Sequence, residues 1–212
     1  PKCEESCPNT AFHHICPLLW RNLLDLLVLW SRRRKTNSAL PGAVKESVIK
    51  LWTESTLTVI ADASALPWLP EGATPAGSIR LITPHPGEAA RMLAVSTEDV
   101  QQDRCGAVRK LSERHGGCWV VLKGSQTLVG RAEGDIFVNP TGNPWLAQGG
   151  SGDVLAGYLG GLLAQPILAR DPLAAIRFAV WDHGRVSDAH AGRSGPLNIA
   201  GLARSLGCWR DD

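Results

Sequence analysis

The chain has 212 residues and a formal net charge of +2, and 44% of its residues are hydrophobic and 20% charged. This length suits one domain with a sizeable core, and the near-neutral charge favours neither a nucleic-acid nor a membrane partner. The most apolar long stretch, residues 154–169, is too short to span a bilayer. Six scattered cysteines favour a reduced, cytoplasmic protein over a disulfide scaffold.

Residues 1–40 are interpreted as an atypical leader, and the domain proper is expected over residues 41–212. Cys3, Cys7 and Cys16 lie close to two histidines, which raises the question of a zinc site. Their spacing fits no recognised ligand pattern, so we predict no metal site there. No secretory signal pattern is present. Within residues 18–30, leucines recur on one helical face, so an amphipathic helix is one interpretation of this segment.

From residue 41 onward, α-helical and β-strand patterns alternate. The sequence predicts a helix over residues 44–52, a buried strand over 57–61, a loop over 67–78 and a further strand over 79–83. Pro84 and Pro86 cannot continue that strand. His85 therefore follows a strand's carboxyl end, which is the usual ligand side of an α/β sheet. The alternative is a histidine in a surface loop.

Helices are then predicted over residues 88–93 and from Ser96 or Thr97 to about residue 115. Residues 119–122 read as a continuous apolar strand in a central parallel position. A small polar turn follows, with Lys123, Gly124, Ser125, Gln126 and Thr127. Its single cation and small residues suit phosphate, and the alternative is a solvated hairpin lysine. Residues 126–130 and 135–138 form a predicted hairpin.

The stretch over residues 139–165 runs from a polar loop into an apolar helix. Gly149, Gly150 and Gly152, with Ser151 between them, predict an anion-binding loop, because glycines free the backbone and the helix adds the positive end of its dipole. Asp153 is the only charged residue between Asp135 and Arg170. A carboxylate there should be costly to bury without a task or a partner. The alternative is that Asp153 merely caps the helix.

The same helix has two different faces. Asp153, Gly157, Gly160, Gly161 and Ala164 share one face, and leucines 155, 159 and 162 lie on the other.

The last helices are predicted over residues 172–191 and 198–206. We expect Asp182, His183 and His190 to form a partly exposed face and not to be ligands.

Several ordered motifs resemble the NAD(P)H-hydrate dehydratases, a branch of the ribokinase-like superfamily. These are ITPHPGEAARML at residues 82–93, VVLKGSQTLV at 120–129, NPTGNP at 139–144 and GGSGDVLAG at 149–157. Together, in this order, they are far more specific than any one glycine-rich loop. The resemblance extends from about residue 58 to about residue 207.

This resemblance implies a three-layer α/β/α sandwich with a mostly parallel sheet and a small hairpin. It implies nucleotide-dependent dehydration of hydrated NADH or NADPH, a repair lyase reaction that uses ADP or ATP with Mg²⁺, and we expect a homo-oligomer. Asp153 would be the catalytic base, and His85 and Asp153 would contact the hydrate. The nucleotide would bind residues 123–127 and Gly152.

The resemblance weakens toward the amino terminus. It assigns residues 26–30 to a buried strand, but the family's following GPGLG turn is replaced by SRRRK at residues 31–35. Three arginines cannot reproduce a positive-φ glycine turn without strain, which predicts reduced or absent catalysis with nucleotide binding retained. The family's preceding units have no visible counterpart. Two alternatives therefore stay open: a small-molecule kinase of the same fold and a non-catalytic nucleotide-binding remnant.

Overall fold

The structure, a computed structural model, describes residues 26–29, 42–191 and 198–208. Its centre is a six-stranded sheet in the order β1-β2-β3-β4-β5-β6. Strands β1 to β4 are parallel, and β5 and β6 are added antiparallel. This confirms a mostly parallel sheet with a small hairpin. The strands are β1 (Leu26–Leu29), β2 (Thr58–Ala61), β3 (Arg80–Ile82), β4 (Trp119–Leu122), β5 (Leu128–Gly130) and β6 (Phe137–Val138).

Helices connect and cover these strands. They are α1 (Gly42–Glu54), α2 (Pro86–Leu93), α3 (Thr97–Gln102), α4 (Arg104–Arg114), α5 (Ser151–Leu163), α6 (Pro172–His190) and α7 (Ile199–Ser205). Two short 3₁₀ helices, Ala63–Trp68 and Pro144–Ala147, lie in the connections. Among the described residues, no helix combines the length and hydrophobicity needed to cross a bilayer.

The strand side chains alternate between two cores, which makes the fold a three-layer sandwich. On one face, residues such as Val59, Ile82 and Val120 pack with buried residues of α1, α2 and α4. On the other face, residues such as Ile60 and Val121 pack with α5 and α6. Because successive strand residues point to opposite faces, a strand covered on both sides must be apolar throughout. This explains the continuous hydrophobic runs of β2 and β4 and confirms the predicted architecture.

Two helix predictions need correction. The helix predicted from residue 96 to 115 is divided into α3 and α4, because Asp103 ends the first and its Oδ1 accepts a hydrogen bond from Gly106 N at 2.7 Å. The helix predicted from Glu88 begins earlier, at Pro86, where a proline needs no backbone donor. Ser96 is the predicted N-cap of α3, and its side chain accepts from Asp99 N at 3.0 Å.

The leucine-rich segment is a strand where it is described. Residues Leu26–Leu29 pair in parallel with β2, so the helical interpretation is wrong for these residues. The rest of the leader lies outside the described residues, as do Cys3, Cys7, Cys16 and residues 31–35.

Candidate functional site

A cavity of about 530 Å³ lies beyond the carboxyl ends of β3 and β4, where α/β sheets usually bind ligands. The polar turn after β4 and the amino terminus of α5 both contribute to its wall. Its lining residues come from five segments: His85, Pro86, Lys123, Gly124, Ser125, Gln126, Thr127, Asn139, Thr141, Gly142, Asn143, Pro144, Leu146, Ala147, Ser151, Gly152, Leu155, Val180, His183 and Gly184.

A buried ion pair lies at the strand ends next to this cavity. Lys123 Nζ donates to Asp62 Oδ1 at 2.8 Å, and Thr83 Oγ1 donates to the same oxygen at 2.7 Å. Asp62 follows β2, Thr83 follows β3 and Lys123 follows β4, so the pair ties three adjacent strands together. The alternative of a solvated hairpin lysine is therefore wrong. A Cβ atom added to Gly152 would lie 3.2 Å from Lys123 Nζ, so the lysine also lies against the start of α5.

The predicted nucleotide-binding turn joins β4 to β5 as an antiparallel connection. Gly124 has φ 137° and Gln126 has φ 56°, so the backbone turns sharply twice. Thr127 Oγ1 donates to Gly124 O at 3.1 Å and closes the turn on itself. All residues from Lys123 to Thr127 line the cavity. The structure thus brings this predicted group together as one wall.

His85 is the N-cap of α2 as well as a cavity residue. Its Nδ1 accepts hydrogen bonds from Gly87 N at 3.1 Å and Glu88 N at 3.3 Å. The Glu88 carboxylate in turn accepts from His85 N at 2.8 Å, which completes a capping box. Because Nδ1 acts as an acceptor, the proton of the neutral ring is on Nε2. The histidine is exposed, and its Nε2 lies 3.4 Å from Glu88 Oε1.

The loop before α5 is held against helix α6. The Asp188 carboxylate accepts from Gly142 N at 2.8 Å and from Asn143 Nδ2 at 3.0 Å. Thr141 Oγ1 donates to Trp181 O at 2.8 Å. Gly184 permits this close approach, because a Cβ atom there would lie 2.3 Å from Thr141 Oγ1. The loop is therefore a docked part of the cavity wall.

Helix α5 begins at Ser151, with Gly150 as its N-cap at φ 99°. Few residues other than glycine adopt this left-handed conformation, which explains why a glycine stands at this position. Of the predicted anion loop, Ser151 and Gly152 line the cavity, and Gly149 and Gly150 precede them just outside its lining. The backbone N–H groups of the first helical turn have no helical acceptor and carry the positive end of the dipole.

Asp153 is the third residue of α5, and it is exposed. Its exposure agrees with its predicted place on the face opposite the leucines, and the capping interpretation is wrong, since Gly150 is the N-cap. Asp153 does not line the described cavity, although its neighbour Gly152 does. Gly157, one turn later, is exposed as well, and the leucines of the opposite face are buried as predicted. The catalytic role of Asp153 stays a prediction.

His183 is a cavity residue that the sequence interpretation missed. It is buried, and its Nε2 lies 3.1 Å from Ser151 O and 3.3 Å from Ser151 Oγ. A carbonyl oxygen can only accept, so Nε2 carries the proton. Burial lowers the pKa of His183 to about 4, which keeps the ring neutral near pH 7. It lies one helical turn after buried Ala179 and Val180, and this spacing could have predicted its burial.

Asp182 also contradicts the predicted exposed face, because it is completely buried. Its carboxylate accepts from Tyr158 Oη at 3.1 Å, from Arg185 Nη2 at 2.7 Å and from Gly207 N at 2.8 Å. The burial follows from the position of α6 against α5 and the segment after α7. Asp182 therefore supports the fold, and His190 is half-buried.

The three-layer sandwich, with its cavity at the strand ends beside a helix amino terminus, is a ribokinase-like fold. A ribokinase-like superfamily protein from Enterococcus faecalis V583 shares this fold at a TM-score of 0.65 and 24% identity, covering 92% of this chain and 66% of that one. The family model for NAD(P)H-hydrate dehydratase matches residues 40–206. The chain belongs to the NAD(P)H-hydrate dehydratase family.

Two relatives give the extent of the match. An ADP-dependent (S)-NAD(P)H-hydrate dehydratase from Neisseria meningitidis serogroup B is 43% identical over 135 residues, which are 61% of this chain and 44% of that protein. The structure of an ADP/ATP-dependent NAD(P)H-hydrate dehydratase from Bacillus subtilis, crystallised with ATP and Mg²⁺ and soaked with CoA, has a TM-score of 0.67 at 32% identity. That match covers 78% of this chain and 59% of the Bacillus chain. The chain thus spans about half the length of these relatives.

Proposed function

We propose that this chain catalyses the nucleotide-dependent dehydration of hydrated NADH and NADPH back to NADH and NADPH, a lyase reaction of metabolite repair. One observation carries this proposal: the family match over residues 40–206 includes both walls of the cavity, the Lys123–Thr127 turn and the start of α5. The Neisseria and Bacillus relatives are named as ADP- and ADP/ATP-dependent enzymes, which supports ADP or ATP as the phosphate donor.

The nucleotide phosphates are proposed to bind between the Lys123–Thr127 turn and the amino terminus of α5. Backbone N–H groups at a helix start and in a glycine turn suit phosphate oxygens. Lys123 uses one ammonium hydrogen for Asp62, which leaves two for a ligand. His183, which also lines the cavity, stabilises this wall by donating to the Ser151 carbonyl. These residues bind and orient the donor, and positioning is the main contribution of a protein to phosphoryl transfer.

Asp153 is proposed to accept the proton of the hydrate's hydroxyl group. The hydroxyl oxygen then forms a bond to the terminal phosphorus, and the bond to the nucleotide's bridging oxygen breaks. In the second step the phosphate leaves with the carbon–oxygen bonding electrons, and a proton lost from the adjacent ring carbon restores the double bond. ATP is thereby converted to ADP, or ADP to AMP, with release of phosphate. His85 would contact the hydrated ring.

Mg²⁺ is proposed to enter with the nucleotide phosphates. Within the described residues, no group of three or more His, Cys, Asp or Glu side chains forms a metal cage. Mg²⁺ usually keeps several water molecules and binds through one or two carboxylates together with substrate phosphates. An ion of this kind would be held by the nucleotide phosphates and water, so it needs no cage of protein side chains. When bound, the ion would neutralise charge on the phosphates.

The purified chain tests this proposal when it is incubated with NADH hydrate, Mg²⁺ and either ADP or ATP. We expect absorbance to recover in the reduced-nicotinamide band only with nucleotide present. The rate should be lower than that of family members with the GPGLG turn, because SRRRK replaces this turn at residues 31–35. Sugars and hydroxymethylpyrimidine serve as a parallel panel and should give no phosphorylated product. Faster turnover of a panel member than of the hydrate would favour a small-molecule kinase.

A non-catalytic nucleotide-binding protein is the second candidate. It is favoured by the exposure of Asp153 and by its position outside the lining of the cavity. This candidate predicts nucleotide binding by calorimetry together with no consumption of the hydrate.

Three further expectations stay predictions: a domain boundary near residue 41, a cytoplasmic location and a homo-oligomeric state. Sedimentation of the purified chain measures the last directly.

A further inference from the structure

Arg104 links the end of β4 to the tip of the nucleotide-binding turn. Asp103 caps helix α4 and fixes its first residue, Arg104, beside this turn. The guanidinium donates through Nη1 to Ser125 O and through Nη2 to Leu122 O, the latter at 3.3 Å. These carbonyl groups flank Lys123 and Gly124. One planar side chain therefore sets the distance between the end of β4 and the tip of the turn.

This arrangement carries a cost that a purely stabilising arginine would avoid. Arg104 Nε is buried without a hydrogen-bond partner. In the part of the chain that the structure describes, no carboxylate forms an ion pair with this guanidinium. An unsatisfied buried donor is destabilising. The contact with the turn is thus what the arginine provides.

Gly124 makes this contact possible. Its φ of 137° is accessible to glycine, and a Cβ atom there would lie 3.3 Å from Arg104 Nη2. The glycine of the KGSQT turn and the arginine of α4 therefore fit each other closely. A lysine at position 104 could not bridge two carbonyl groups in the same way, because its ammonium is a single point donor on a flexible stem.

We propose that Arg104 is a positioning residue for the adenine nucleotide. Its guanidinium group holds the Lys123–Thr127 turn in the conformation that binds the nucleotide, without touching the reacting atoms. This inference rests on the proposed nucleotide site and extends it to a residue outside the cavity lining.

Arg109 offers a matched control on the same helix. Its Nη1 donates to Ala132 O at 2.7 Å and its Nη2 to Gly134 O at 3.1 Å. It therefore holds a turn by the same kind of contact. That turn joins β5 to β6 and does not line the cavity.

Calorimetric titration with ADP and with ATP, together with melting temperatures, tests the inference on the parent chain and on R104Q, R104K and R109Q. We expect R104Q and R104K to raise the nucleotide Kd about tenfold, the equivalent of one charge-assisted hydrogen bond. R109Q should leave Kd within about twofold of the parent while lowering the melting temperature about as much as R104Q does. R104K should be the more stable of the two Arg104 variants and still bind weakly.

Parent-like affinity in R104Q or R104K would overturn the positioning role, and so would an equal loss of affinity in R109Q. If R104Q does not fold, R104K alone decides between these outcomes. A folded parent that binds neither ADP nor ATP would overturn the proposed function as well. Binding by the parent with unchanged Kd in the Arg104 variants would overturn this inference alone.

Discussion

Replacing Lys123 by methionine removes one partner of the buried ion pair at the strand ends. The Asp62 side chain is 2% exposed and that of Lys123 20% exposed, so the remaining carboxylate cannot be well hydrated. Breaking a buried pair by removing one charge costs about 3–5 kcal/mol. Thr83 keeps its hydrogen bond to Asp62, so we expect a loss near the lower limit, about 3 kcal/mol.

For a chain of this size, a loss of about 3 kcal/mol lowers the melting temperature by about 6–12 °C. Urea unfolding of K123M, followed by fluorescence, measures the free energy directly. The double variant D62N/K123M removes both charges and keeps an acceptor for Thr83. We expect it to recover to within about 1 kcal/mol of the parent, since the cost comes from the unpaired carboxylate.

Two results would refute this reasoning. K123M could unfold with a free energy within about 0.5 kcal/mol of the parent, or the double variant could be as unstable as the single one. The same two variants also serve as controls for the contribution of Lys123 to nucleotide binding. Weaker binding by both K123M and D62N/K123M would assign the loss to the missing ammonium, and not to a disturbed Asp62.

The remaining predictions concern the helix start and the docked loop. His183 is neutral in the fold with a pKa of about 4, against 6.5 for the unfolded chain, so acid favours the unfolded state. Between pH 7 and pH 5, the parent's free energy of unfolding, measured in urea, should therefore fall by about 2 kcal/mol more than that of His183→Gln. Equal decreases would exclude this cause. Asp153→Asn should keep the melting temperature yet reduce dehydration about 10²–10⁴-fold; activity within a few-fold of the parent would remove its role as base. Gly184→Ala should destabilise by about 1–3 kcal/mol, because its Cβ atom would overlap Thr141. A Cβ atom added to Gly157 would have nothing within 4 Å, so Gly157→Ala should stabilise the fold by up to about 1 kcal/mol. If Gly157→Ala were less stable than Gly184→Ala in urea unfolding, the described packing would be contradicted.

The layered fold could be predicted from the sequence because its signals are local. The continuous apolar runs of β2 and β4 require burial on both faces, and prolines and glycines mark the connections. The turn after β4 and the glycine loop before α5 were predicted as ligand walls, and the structure brings them together around one cavity. Strand ends in a parallel sheet converge on one edge, so this part of the site follows from the topology.

The errors arise where a side chain's environment depends on distant partners. Nothing in the turn itself shows that Lys123 pairs with Asp62, which is 61 residues earlier. The neighbours of Asp182 likewise come from α5 and the segment after α7, so its burial is a property of the tertiary packing.

The helix-capping residues could be predicted only in part from the sequence. His85 was singled out by its place between two prolines, but the capping box with Glu88 gives it a structural role as well. Its substitution would therefore change the start of α2 together with any contact to substrate. The break at Asp103 was readable in principle, since aspartate is a preferred N-cap residue.

The most direct test of the proposed function is the recovery of reduced-nicotinamide absorbance when the purified chain is mixed with NADH hydrate and Mg²⁺. We predict recovery that starts only when ADP or ATP is added, that releases one phosphate for each hydrate consumed, and that is lost in Asp153→Asn. Nucleotide binding without any recovery, or recovery at the same rate without nucleotide, would contradict a nucleotide-dependent dehydratase.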